Sequence, residues 1–463
     1  MTSNPAAVRD LFRLNRAAVA MIAGYLLICL AVTLFGDRGC YQVGAPCAVE
    51  DDRYGGPLAF QLYDGKGFVS PHDPDLPYYD HPPLHSLIML GTFFLAGGKT
   101  FVPILIVHIL INVASGLLVR ASVTQVAGRF GDIALAAYLF NPNVIAHANR
   151  ISSDTVPALF IIAAIFLVLR YSRRPAMKTA LLCGGLLGVA TMIRSISTAL
   201  MIILPIALPL VVVLAGSAGG WLRAFRDGVL ASLLAFLVCL PWMLHMQANG
   251  FGFTMHNPAH LRLLLHDSLR FLGSKGPAVA DGAYKLERMR IEDAHLAETV
   301  PNWESLSVGE KGRHRSRVAV DYVLSMPFEA SQLAAALMHS WKRFLLSGGS
   351  GDINFRLGIS EKSGERGVAF YASYAISHLY TFPARFLGLL GLIWLLRRRD
   401  YATALTLCVP ILAVMATTVL VGLPRYRAAV EGPLAVLAVF GLILLVDLLR
   451  SRWARRSAPL PDG

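Results

Sequence analysis

The stretch 77–100, PYYDHPPLHSLIMLGTFFLAGGKT, decides the topology of the whole chain. It sets Asp80, His81 and a proline pair directly before an apolar run, 84–96, that ends in GGKT. A helix needs about 20 apolar residues to cross a bilayer, and this run is shorter. The arginines point the same way. Clusters stand at Arg120/Arg129, Arg170/Arg173/Arg174/Lys178, Arg223/Arg226, Arg397/Arg398/Arg399 and Arg450/Arg452/Arg455/Arg456. If 84–96 crossed, every later cluster would change sides. Read as a helix lying on the outer membrane surface, it leaves all of them, with the N-terminus, in the cytoplasm.

The rest of the composition fits a membrane protein. Of 463 residues, 55% are hydrophobic and 15% charged, and the mean hydropathy is +0.55, far from a soluble domain. The net charge of +13 raises nucleic acid as a partner. However, these clusters lie between apolar runs rather than along one face, which is a topology signal, so membrane lipids and no nucleic acid are expected. Spans are predicted at about 17–35, 104–118, 133–148, 155–169, 179–193, 197–215, 229–244, 383–396, 402–421 and 433–446: ten, with both termini inside. The first follows Arg9, Arg13 and Arg16 but is followed by no A-x-A-like site, so it is read as a retained helix. The expected regions are a transmembrane core, 1–247, with a first outer loop at 36–103; an outer and interfacial region, 248–381; and C-terminal helices with a basic tail, 382–463. In the second region, YKLERMRIEDAHLAE (284–298) reads as an exposed helix and LAAALMHSWKRFLL (333–346) as an interfacial one. Cys40 and Cys47 share the first outer loop, where a disulfide can form, whereas Cys29, Cys183, Cys239 and Cys408 fall in apolar helices.

Acids gather in the first outer loop: Asp37, Glu50, Asp51, Asp52, Asp64, Asp73, Asp75 and Asp80. The spans hold almost none, which favours chemistry at the outer face over a pathway through the bundle. A carboxylate of the Glu50–Asp51–Asp52 trio, partly desolvated near the bilayer, would suit a general base; from composition alone, a solvated acidic turn is the simpler reading. Asp154, in SSDT, is either a second functional acid or a helix N-cap. Arg425 and Arg427, in GLPRYRAAVEGP (422–433), lie outside against the charge bias and suit a phosphate clamp or lipid headgroups. Arg194 ends an apolar helix, where snorkelling accounts for it. His256, His260, His266 and Asp267 invite zinc, but surface histidines explain the spacing.

Taken together these motifs resemble a GT-C glycosyltransferase of the group that includes bacterial aminoarabinose transferases and protein O-mannosyltransferases. The group's acid-to-tyrosine segment is matched by Glu50 to Tyr54, and its A-x-x-L-x-x-G-x-G-F pattern by Ala59, Leu62, Gly65, Gly67 and Phe68. His81-Pro82-Pro83-Leu84 matches an element before a surface helix, Asp154 a second acid, and Arg425-Tyr426-Arg427 with Glu431 and Pro433 a last outer motif. One departure is that Glu50 stands where the group often has its catalytic aspartate, so the base is open among Glu50, Asp51 and Asp52, with Asp51 placed first.

The resemblance implies an all-α, GT-C-like bundle of about ten transmembrane helices with outer surface helices and a larger outer loop. It implies a polyprenyl-phosphate-linked sugar donor and a lipid, glycan or protein acceptor on the periplasmic side of a bacterial inner membrane. Transfer would invert the anomeric centre, with the loop carboxylate as base. Arg425, Arg427, Tyr426 and Arg194 would meet the departing phosphate, and Asp80, His81 and His85 would border the donor headgroup. Asp154 would orient the acceptor or base, or help to bind a divalent metal. A lipid-linked sugar flippase is the alternative, disfavoured because the spans carry no charged residues; a non-catalytic envelope assembly partner is another.

Overall fold

The computed structural model describes residues 14–35, 56–71, 73, 75–128, 130–257, 262, 283–325, 330–350, 354, 367–418 and 423–456. Among these the only β pairing is an isolated bridge between Val69 and Pro77; all other regular structure is helical. The helices are α1 (Arg16–Phe35), α2 (Gly56–Tyr63), α3 (Leu84–Ala96), α4 (Val102–Ala127), α5 (Gly131–Leu139), α6 (Pro142–Ala148), α7 (Thr155–Arg173), α8 (Met177–Ile193), α9 (Thr198–Leu214), α10 (Trp221–Ala248), α11 (Ala283–Thr299), α12 (Val308–Ser325), α13 (Ala330–Leu346), α14 (Val368–Arg397), α15 (Tyr401–Thr418), α16 (Pro424–Arg427) and α17 (Glu431–Arg456). Eight stretches among the described residues are long and apolar enough to cross a membrane. They begin at Arg16, Val102, Thr155, Ser195, Trp221, Val368, Tyr401 and Pro424. This is a polytopic all-α membrane fold.

The two remaining predicted spans differ from the eight. Helix α8 is apolar but only 17 residues long. The run 133–148 breaks into α5 and α6 at Asn141-Pro142. Pro142 has no N–H to donate, and the residue before a proline is pushed out of the helical region; Asn141 is extended (φ −67°, ψ 122°) and its side chain accepts from the Asn143 amide. The span read from 383 is part of a longer helix, since α14 starts at Val368 and holds Pro383 in its interior. At 30 residues it is about 45 Å long, more than the hydrocarbon of a bilayer is thick.

Close helix approach is made by glycine. A Cβ on Gly391 of α14 would collide with the Leu437 carbonyl, and one on Gly441 of α17 with the Leu387 carbonyl. Gly184 and Gly188 play the same part for α8, against Ala231 and Ala235 of α10. With no hydrophobic force between helices in lipid, such backbone contact supplies much of the association energy.

The expectation that the spans are free of charge is corrected. Arg385 lies within the span predicted at 383–396, and Arg120, Asp227, Arg427 and Glu431 lie beyond the predicted bounds in the longer candidate spans. These are paired rather than spread along a pathway: Arg120 binds Asp132 at 2.7 Å, Tyr171 donates to Asp227 at 2.9 Å, and Arg385 and Arg427 bind Glu431. An isolated charge in an apolar bundle is costly, and pairing offsets that cost.

Helix α2 shows why the A-x-x-L-x-x-G-x-G-F pattern takes its form. Ala59 is buried in a small core with Met89, Phe93, Phe101, Ile104 and Leu105, which fastens α2 to α3 and α4. Gly65 (φ 72°) and Gly67 (φ 88°) turn the chain in the left-handed region that favours glycine. Phe68 then packs edge-on against Tyr78 and His245, with centroids 5.7 and 5.1 Å away. Lys99, from GGKT, bonds back to Asp64 at 2.5 Å. Cys29, Cys183, Cys239 and Cys408 are free thiols in helices; Cys40 and Cys47 lie outside the described residues.

Candidate functional site

Four side chains of the sequence motifs, Asp154, Arg194, Arg425 and Tyr426, meet at the end of the bundle where α7 begins and α8 ends. Asp154 stands at the cap position of α7 but makes no capping hydrogen bond. Its carboxylate, 5% exposed, instead pairs with Arg194 at the C-cap of α8 and accepts from Ser152 Oγ at 3.2 Å. Asp154 thus occupies the cap position without capping through its side chain, and Arg194 is ion-paired at its helix end.

Arg194 also lies over the ring of Tyr426, 5.4 Å from its centroid. Arg425 lies over the same ring at 5.0 Å and donates to the Tyr426 hydroxyl at 3.1 Å. The short helix α16, opened by Pro424, presents this pair. An aromatic face holds a guanidinium flat through cation–π attraction, leaving its N–H edges to bind oxygens. Two arginines on one tyrosine thus form a cationic platform, with one carboxylate, Asp154, beside it among the described residues.

The electrostatics follow from that count. Burial alone would raise the Asp154 carboxyl, but Arg194, with His147, Arg425 and Arg150 around it, outweighs burial and holds it well below the usual carboxylate range. Asp154 is therefore ionised throughout the neutral range and is a weak proton acceptor there. Among the described residues the charged groups around Asp154 are cationic. Among the described residues no group of three or more His, Cys, Asp and Glu is placed to hold a metal ion.

Arg427 has a different place from its neighbour. It is fully buried, binds Glu431, and donates to the carbonyls of Phe344 and Ser347. Asp80 and His81 are half-buried at the turn before α3. Burial, and then the nearby Asp80, push the Tyr78 phenol up, with the His81 backbone and Ser86 in hydrogen-bond reach. His85 is buried on α3, its ring stacked on His108 of α4 with centroids 5.8 Å apart. His108 Nδ1 in turn lies 3.0 Å from the Arg150 carbonyl, which links this group to the Asp154 surroundings. Glu50, Asp51, Asp52, His260, His266 and Asp267 lie outside the described residues.

Sequence reasoning passed over His108, His147 and Arg150, and over Asn141, Asn143 and Arg385, which surround Glu431. The available signal was a polar residue inside or at the end of an apolar run. An apolar recess within the bundle is lined by Ile165, Leu187, Leu200, Leu204, Val409 and Pro410.

Residues 80–245 match the family model of dolichyl-phosphate-mannose-protein mannosyltransferase. The matched segment runs from Asp80 through Asp154 and Arg194 and stops before Arg425. Solved structures extend the likeness to the whole chain. The archaeal oligosaccharyltransferase AglB from Archaeoglobus fulgidus, in complex with an inhibitory peptide and a dolichol-phosphate, superposes with a TM-score of 0.50 at 15% identity, over 96% of this chain and 52% of that one. The apo form of the A. fulgidus oligosaccharyltransferase gives 0.53 at 15% identity, over 96% and 53%. ArnT from Cupriavidus metallidurans, bound to undecaprenyl phosphate, gives 0.42 at 14% identity, over 92% and 77%. This chain spans about half the length of the oligosaccharyltransferases it matches, and at such identity the likeness shows the fold alone. No curated protein matches the sequence.

Proposed function

We propose that this protein is a membrane glycosyltransferase that moves a sugar from a polyprenyl-phosphate donor to an acceptor hydroxyl, or similar nucleophile, of a lipid, glycan or protein. The observation that carries the reading is the convergence of Arg194 and Arg425 on the Tyr426 ring beside Asp154, on a fold shared with an oligosaccharyltransferase solved with a dolichol-phosphate.

As the bond from C1 to the phosphate breaks, negative charge grows on the leaving oxygen. Two guanidiniums pre-set on an aromatic platform stabilise that charge without having to reorganise. The isoprenoid tail would leave the phosphate and descend into the apolar recess beside Leu200 and Leu204. Asp154 keeps Arg194 in place and offsets part of the platform's charge. The base that takes the acceptor's proton belongs to the Glu50–Asp51–Asp52 trio, Asp51 first, because Asp154 is too acidic for that role. Attack from the opposite face of the sugar inverts C1. Asp80, His81 and His85 border the sugar headgroup. Arg427 supports the platform from behind rather than touching the phosphate, since its donors are already engaged. In the cell the site would face the periplasm from a bacterial inner membrane, with both termini cytoplasmic. Within the chain, 1–247 would be the catalytic core, 248–381 the outer region and 382–463 the closing helices.

The test is transfer in proteoliposomes, offering a panel of polyprenyl-phosphate sugars and extracted envelope acceptors. Appearance of glycosylated acceptor with the wild type, and its loss in Arg425→Ala, supports the reading. Movement of lipid-linked sugar across the bilayer with no transfer from any donor would replace it with transport.

A further inference from the structure

The proposed chemistry leaves one buried cluster unused. Glu431 is 0% exposed, and its oxygens accept from four side chains. Arg385 (2.8 Å) and Asn141 (2.9 Å) bind one oxygen; Asn143 (3.1 Å) and Arg427 bind the other. One carboxylate between two guanidiniums leaves a positive charge over, and backbone carbonyls take it up. Arg427 donates to Phe344 and, at 2.7 Å, to Ser347; Arg385 donates to Leu345 at 3.1 Å. All three carbonyls lie in the last turn of α13 or just beyond it, where unpaired carbonyls and the helix dipole concentrate negative potential. The cluster is thus a C-cap for α13 supplied by residues of α14 and α16.

Two contacts connect this cap to the cationic platform. Asn143 Nδ2, besides binding Glu431, donates to the Pro424 carbonyl at 3.3 Å, and Pro424 opens the helix that carries Arg425 and Tyr426. The chain leaving α13 turns at Gly349 (φ 76°), where a Cβ would stand 2.6 Å from Asn143 Oδ1. The turn therefore closes on the same asparagine.

The geometry points to Glu431 as a positioning residue: through Arg427 and Asn143 it fixes the Pro424–Arg427 turn, and with it the Arg425–Tyr426–Arg194 phosphate platform, against the C-terminal end of α13. This rests on the phosphate-site reading above. Glu431 touches no reacting atom; it sets where Tyr426 stands, and so where two guanidiniums aim.

The experiment measures undecaprenyl phosphate affinity and thermal midpoint together, on the full chain in nanodiscs. Asn143→Ala removes the tie to Pro424 and keeps the Arg385–Glu431–Arg427 triad. Glu431→Gln removes the central charge and, with two arginines left uncompensated, is at risk of not folding; Asn143→Ala then decides alone. Folded Asn143→Ala is expected to bind undecaprenyl phosphate about tenfold more weakly than wild type, the size of effect typical of residues that act through a neighbour. Unchanged affinity with only a lower thermal midpoint would make the cluster a structural tie and overturn the inference while leaving the phosphate site standing. A wild type that binds no polyprenyl phosphate would remove the phosphate site itself, and the inference with it.

Discussion

Asp154 and Glu431 are both buried carboxylates beside arginines at one end of the bundle, yet they are held in opposite ways. Glu431 accepts from four side chains, and its two arginines are also bonded to carbonyls of α13. Asp154 holds Arg194 and a serine, while Arg194 and Arg425 stay half-buried and turned to the Tyr426 ring. On the proposed function, the difference separates scaffold from site. A closed ion cluster satisfies its own charges and fixes geometry; the open one, on the proposed reading, is where the donor's phosphate binds.

The largest expected effect falls outside both clusters and tests whether Asp154 is rightly excluded as the base. One of Asp51→Asn, Asp52→Asn and Glu50→Gln should lower turnover by roughly 10²–10⁴-fold, the usual loss of a general base, with undecaprenyl phosphate affinity unchanged. The check is transfer rate at saturating donor, beside donor binding. Full activity in all three variants would return the base to the Asp154 group and collapse the contrast.

The next prediction sets the two arginines of one motif against each other. Arg427→Ala leaves Glu431 short of a buried partner and should destabilise the protein by about 3–5 kcal/mol, seen as a lower thermal midpoint or failed expression. Arg425→Ala should leave the midpoint nearly unchanged and weaken undecaprenyl phosphate binding by roughly 10–100-fold, as for loss of a charge-assisted contact. If the two exchange phenotypes, scaffold and site have been assigned the wrong way round.

That pair also marks how far the sequence could be read. Apolar runs and arginine clusters were enough to find the eight long helices, because length and charge bias act one residue at a time. Arg425-Tyr426-Arg427 was legible as a unit, but Arg425 and Arg427 were not distinguishable, since their difference comes from Phe344 and Ser347, some 80 positions earlier in the chain. The role of Asp154 was hidden for the same reason: SSDT carries the local signature of a cap, and only the end of α8 supplies the arginine that draws the carboxylate away. Asn141-Pro142 is the opposite case. The dipeptide states the break in the helix openly, but a hydropathy reading averages over it.

A third prediction concerns protons and sharpens the contrast with a working base. The Asp154 carboxyl is held down by Arg194, so its ionised form is favoured in the folded protein. The stability this brings is fully present above the ordinary carboxylate value near pH 4 and is lost as pH falls through the depressed folded value. Asp154→Asn should therefore lower stability by a constant amount above about pH 5, and the two curves should converge in acid. Transfer by the wild type should show no titration from this group in the neutral range. Thermal midpoints of both proteins across pH, with the rate profile alongside, make the comparison. A gap that widened between pH 5 and 8 would mean that Asp154 titrates there and is not locked by Arg194.

The smallest effect comes from an ion pair open to water, Lys99 with Asp64, whose side chains are 29% and 34% exposed. It joins α2 to the turn after α3, and Lys99 lies 5.7 Å from the Phe60 ring centroid. Solvent screens such a pair, and holding a long lysine in one rotamer costs entropy, so Lys99→Ala should change stability by about 0.5 kcal/mol or less. The apolar contacts of Ala59 with Met89 and Phe93 would hold α2 in place without it. Thermal unfolding at low and high salt gives the measure. A loss comparable to that of Arg427→Ala would show that exposure does not rank these ion pairs, and would leave the separation of open from closed clusters without its physical basis.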